Sequence, residues 1–228
     1  AGTLGNGPIA LTAGTTLDLS ERDATLVLAA SQGLTGRGGA VLATATGKGL
    51  TLGASSPLHL DAFDGATPPL TVSGGGSLTL QSGNTVTVTV AGGTPLAAGD
   101  YTIISGGVDG AVPTGYPAVI GAGRAANTIA SLLLDDGNLV LRIEAYSPVH
   151  APADIATQAP GGEWHDSATW LGGVIPGPGD RVTVSNDVTL RCGTFALESV
   201  SITNSATLTF QNWQTALTAT NVTLGSGT

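Results

Sequence analysis

Short period-two triplets bounded by glycine restrict this fold most: Leu17-Asp18-Leu19, Leu26-Val27-Leu28, Leu50-Thr51-Leu52, Leu58-His59-Leu60, Leu70-Thr71-Val72 and Leu78-Thr79-Leu80. Val86 to Val90 then alternates strictly with Thr. Alternation of this kind places one set of side chains on a buried face and the other in water, as a half-buried strand requires. Neighbouring triplets within each run start eight to twelve residues apart. Gly, Ser, Asn and Pro fill the gaps, supplying the positive φ angles and chain reversals of tight corners. No helix of three turns fits between them. Ser20 to Ala30 has a helix-compatible composition, but the alternation at Leu26 to Leu28 reads it as strand.

Two all-β architectures accept such strands, an antiparallel sandwich and a parallel β-solenoid whose coils stack. A sandwich fills a core about 10 Å thick with bulky residues, whereas a narrow solenoid is filled by ladders of Val, Leu, Ile and Ala. With only three Phe, three Tyr and three Trp in 228 residues, the composition selects the solenoid. The expected fold is therefore all-β, with right-handed parallel β-solenoid modules, leucines inward and threonines outward.

The pattern changes near Thr94. Pro95 to Ile104 and Ser131 to Ile143 read as longer strands, the latter folded back at Asp135-Asp136-Gly137-Asn138, a hairpin signal. Residues 1–145 are thus expected to be one solenoid with an antiparallel cap over about 94–145. The cap would cover the open apolar end and unpaired backbone of the last coil. Residues 146–160 hold three prolines and no apolar period, and so read as a Pro-rich extended linker. Residues 161–228 open with Glu163-Trp164-His165-Asp166, Trp170 and a Pro-Gly-Pro-Gly-Asp corner. A second strand series follows, Val188 to Leu190, Val200 to Ile202, Leu208 to Phe210, Leu217 to Ala219 and Val222 to Leu224, and it stops in mid-pattern, uncapped.

Leu17 to Leu28, Gly33 to Thr51, and Gly76 to Leu80 followed by Val86 to Val90 and Leu96 to Ile104 carry a resemblance. Through them, residues 1–145 resemble the autotransporter-associated β-strand repeat regions of bacterial surface proteins. The last third, Trp164 to Gly227, resembles a G8-type β-solenoid opening through its Trp pair, glycine-proline corner and Leu-Thr-Phe coil. These resemblances imply an exported, modular, surface or extracellular protein.

Charge narrows the partners. Seven basic and sixteen acidic side chains give a net charge of −9, leaving no positive stripe for phosphates, so neither nucleic acid nor an anionic membrane is an expected partner. No apolar run reaches the roughly 18 residues of a membrane span, so no membrane insertion is expected. Cys192, the single cysteine, has no partner for a disulfide or a CxxC pair and reads as a small buried residue. A chain that opens at Ala1 with this acidic balance suits an exported or excised segment.

Candidate chemistry is sparse. Glu163, Trp164, His165, Asp166 and Trp170 place carboxylates and an imidazole beside aromatic rings, a combination that binds a sugar or a metal; the plainer alternative is a polar corner sealing a coil. Asp61, Asp64 and the Asp135 to Asn138 turn offer oxygen ligands without the spacing of a calcium loop. No carboxylate pair with aromatic subsites, no Ser-His-Asp elbow and no phosphate loop is recognisable. The expected function is therefore non-catalytic, without metal or cofactor: a stalk, adhesin segment or fibre subunit. The second expectation, of another class, is a carbohydrate-binding or carbohydrate-processing module at Glu163 to Trp170, with glycans as partners. The uncapped coil at Leu217, Val222 and Leu224 would stack on the remainder of a longer chain or, head to tail, on Leu4, Ile9, Leu11 and Leu17 of another copy.

Overall fold

The computed structural model describes residues 7–125, 128–146, 150–191, 193–211 and 215–225, so that Leu4 and Cys192 lie outside it. The chain forms two compact units, residues 1–125 with 130–144, and residues 126–129 with 145–228.

In the first unit, each turn of chain contributes three short strands. The first coil holds β1 (Ile9–Leu11), β2 (Thr16–Asp18) and β3 (Leu26–Val27). The second holds β4 (Leu34–Arg37), β5 (Ala40–Ala43) and β6 (Gly49–Thr51), and the third β7 (Pro57–Phe63), β8 (Leu70–Ser73) and β9 (Ser77–Leu80). The fourth holds β10 (Thr85–Val90), β11 (Gly99–Ser105) and β12 (Val108–Gly110), and β13 (Ala118–Gly121) opens a fifth. Each strand bonds to the one three further on, giving the orders β1-β4-β7-β10-β13, β2-β5-β8-β11 and β3-β6-β9-β12. All these ladders are parallel. This is the all-β parallel solenoid that the triplets specify.

Register turns the triplets into ladders. Leu26, Leu50, Leu78 and Val108 lie side by side along one sheet, and Leu34, Leu58 and Val86 along another. Leu34, Leu50, Leu58 and Leu78 have no exposed surface, while Thr51 and Thr79 between the inward positions are half-buried. Corner side chains bind the coils axially. The buried Asn84 accepts from Gln81 N–H and donates Nδ2–H to the Gly53 carbonyl of the preceding coil, both at 2.7 Å. Thr44 donates its hydroxyl to Ser73 O (2.7 Å) and accepts from Gly76 N–H (3.0 Å). Buried corners thereby satisfy backbone groups that no strand pairs.

The antiparallel part is smaller than expected. Coil winding continues through β13, so residues 94–121 are solenoid, and only the hairpin of β14 (Thr128–Asp135) and β15 (Asn138–Ala145) departs from it. Its turn has Asp136 at φ 44° and Gly137 at φ 71°, both left-handed as a two-residue hairpin turn requires. β11 is the switch strand. On one edge Gly99 to Ile104 pair antiparallel with β15, with a register shift between Thr102 and Ile104, and on the other edge Ile104 and Ser105 pair parallel with β8.

The second unit winds with two sheets. β16 (Asp154–Ala156), β18 (Arg181–Val184), β20 (Leu197–Ile202) and β22 (Ala219–Leu224) form one; β17 (Gly162–Glu163), β19 (Val188–Leu190) and β21 (Leu208–Phe210) form the other. Two 3-10 turns, Ser167–Thr169 and Leu171–Gly173, fill the first coil. The expected linker is corrected here. Asp154 to Ala156 pair in parallel with Arg181 to Thr183, and Thr157 Oγ1 accepts from Ser185 and Asn186 N–H. From Asp154 onward this stretch is coil, not linker. A three-residue strand needs only one inward side chain, here the buried Ile155, which is too little to show as an apolar period among prolines.

Candidate functional site

The Glu163 to Trp170 corner is built around the core, not around a ligand. Trp164 and Trp170 have no exposed surface and meet edge to face, centroids 4.9 Å apart. Trp170 Nε1–H donates to the Trp164 carbonyl at 2.7 Å. Sugar stacking needs an exposed ring face, and neither indole offers one. The aromatic platform expected of this corner is therefore absent, because a narrow two-sheet core takes in the largest apolar side chains available. Asp166 Oδ1 accepts from Ala168 N–H and caps the first 3-10 turn. Glu163 accepts from Arg191 Nε–H at 2.6 Å. Burial pushes the Glu163 carboxyl above its ordinary value while Arg191 draws it back. His165 is 9% exposed and stands edge-on to Tyr146, at 6.3 Å.

Two of the other candidate carboxylates are hydrogen-bonded within the fold. Asp61 accepts from Thr89 Oγ1–H at 2.8 Å, and Asp64 Oδ1 accepts from Ala66 and Thr67 N–H, which hold its carboxyl below its ordinary range. Between them Ala62, at φ 56°, makes a bulge that turns Phe63 inward against Tyr101. A shallow groove of about 480 Å³ runs between the Asp64 turn and Tyr101, whose hydroxyl donates to Ala97 O. No three His, Cys, Asp or Glu side chains converge among the described residues.

Two features remain with capacity to do something. The first is the last coil of the second unit, where Phe210 is 48%, Val222 53% and Leu224 75% exposed and Leu217 is half-buried. At the other expected contact, Leu11 is buried and Ile9 and Leu17 are half-buried. The second is a cluster the sequence reading passed over. Asp180, wholly buried at the end of the Pro-Gly-Pro-Gly corner, accepts from Ala153 N–H at 2.8 Å and Gly177 N–H at 2.6 Å. His150 Nε2 stands 3.5 Å from its Oδ2, and Tyr146 donates its hydroxyl to Ile175 O at 3.2 Å. The sequence signal was present in the acid that follows two glycine-proline steps, but Ala153 and His150 lie 27 and 30 residues upstream of it, beyond any local pattern.

Parallel ladders, short strands and inward leucine rows define the class: this is a β-solenoid protein. No family model, curated protein or solved structure matches the chain.

Proposed function

We propose that this chain is a non-catalytic structural β-solenoid, exported to the cell surface or beyond as a stalk, adhesin segment or fibre subunit, and that a further coil covers its last described coil, supplied head to tail by another copy or by the remainder of a longer chain. The observation that carries this reading is the interrupted ladder of the second unit. Val222 pairs with Val200 and Phe210 with Leu190, and those inner partners are 1% and 0% exposed. Side chains in equivalent register are thus buried one coil in and bare on the last coil. β22 is bonded only to β20 among the described strands, so its other edge presents backbone donors and acceptors as well. Ala219 to Leu224 carry no charge to oppose a second coil. The surface that fits is another coil with apolar side chains in register, and the first described coil of another copy offers the half-buried Ile9 and Leu17.

Sedimentation velocity and negative-stain microscopy of the 228-residue chain test this. End-to-end oligomers that lengthen with concentration, and that disappear in the double variant Val222→Lys, Leu224→Lys, are the expected result. A concentration-independent monomer or a closed dimer contradicts stacking between copies and leaves the coil to the remainder of a longer chain.

A further inference from the structure

His150 sits where neither neutral tautomer is satisfied. Its Nδ1 is 2.9 Å from Ala151 O, and its Nε2 is 3.4 Å from Ile175 O and 3.5 Å from Asp180 Oδ2. All three neighbours are acceptor oxygens. A neutral imidazole carries one N–H and one lone pair, so either tautomer sets a lone pair against an oxygen. An imidazolium donates from both nitrogens and also sets a positive charge beside the wholly buried Asp180 carboxylate, whose other partners are the backbone N–H groups of Ala153 and Gly177.

We propose that His150 is a protonation-dependent clasp of the second unit: as an imidazolium it ties the chain at Ala151–Ala153 to the Ile175–Asp180 corner, and on losing its proton it releases that tie. The tie closes the first coil, because Ala153 leads directly into β16 while Asp180 leads into β18, the strand with which β16 pairs. Ala153 also accepts from Arg181 N–H at 2.9 Å, so the clasp and the strand pairing share one backbone segment.

Among the described residues, the Asp180 carboxylate faces His150 and so, across the Ile175 carbonyl, does the Tyr146 hydroxyl, with the His165 ring edge-on to Tyr146 behind it. Burial, with the Asp180 charge second, raises Tyr146 to about 12, so it remains a neutral donor and does not switch. Arg181, next to Asp180 in the chain, directs its guanidinium to Asp154 and Glu198. The Ala151 carbonyl does most to hold the His150 ring above its ordinary value; burial opposes it as the second influence, and Ile175 and Asp180 add lesser upward contributions. A raised folded-state value means that the stabilisation is complete below the unfolded value of about 6.5 and is lost as pH climbs through the folded value. The clasp closes as pH falls through the raised His150 value and loosens as pH climbs past it.

The test is NMR on the unmodified chain and on His150→Gln, which keeps a neutral donor at the site but cannot take up a proton. The His150 ring is titrated, and amide exchange at Ala153 and Gly177 is followed across the same pH range, normalised to intrinsic rates. The expected midpoint for His150 lies above its ordinary value. Protection at both amides should fall with that midpoint, by about tenfold per unit of separation between the folded and unfolded values. In His150→Gln the protection should be low and flat. His150 titrating at or below its ordinary value overturns the proposal, and so does pH-independent protection in the unmodified chain, even if the variant fails to fold.

Discussion

Leu50 and Thr51 are neighbours in β6 that face opposite ways, the first without exposed surface and the second half in water. Leu50 packs in a ladder between Leu26 and Leu78, so truncation opens a cavity that the stacked coils cannot collapse around. Leu50→Ala should cost about 2–5 kcal/mol and Thr51→Ala less than about 1 kcal/mol, read from urea denaturation of the first unit. Gly49 beside it is fixed by proximity, since a Cβ there would collide with the Ser77 carbonyl of the next coil. The Trp pair separates in the same way. Trp170→Phe removes a hydrogen bond and strands the buried Trp164 carbonyl, whereas Trp164 Nε1 has no acceptor among the described residues. Trp170→Phe should therefore destabilise the second unit by about 1–3 kcal/mol more than Trp164→Phe, measured by denaturant titration followed by circular dichroism.

Elements were legible in the sequence where several inward side chains alternated and illegible where one side chain sufficed. β9 and β10 coincide with the triplet at Leu78 and the Val-Thr run, and the Asp-Asp-Gly-Asn hairpin falls where its turn residues place it. β16 escaped because Ile155 is its single inward residue, and charged side chains take over part of the work of fixing its register. Arg181 joins Asp154 on β16 to Glu198 on β20, clipping three successive coils. At the Glu163 to Trp170 corner, residue type was readable but orientation was not, since buried and exposed tryptophan look alike in sequence. Because β16 is a coil strand with Ile155 in the core, Ile155→Ala should destabilise the second unit by about 2–4 kcal/mol, whereas a linker would tolerate the change. Tryptophan fluorescence reads this, because Trp164 and Trp170 lie in the core with Ile155.

At the scale of the whole molecule, a chain of net charge −9 is proposed to join copies through an uncharged coil. Its copies repel one another at long range, and salt screens that repulsion over about 8 Å at physiological strength. Assembly should therefore strengthen from low to moderate salt, monitored by light scattering, whereas a contact held by ion pairs would weaken. The strands within each unit already stack in register, so an intermolecular coil would extend a ladder that exists. Cryo-electron microscopy of the assembled 228-residue chain tests this most directly. A strand of a second copy is expected along the edge of β22 that no described strand pairs, at the β-sheet spacing of about 4.8 Å, with Val222 and Leu224 enclosed. Particles joined through any other surface, with Val222 and Leu224 facing solvent, would contradict it.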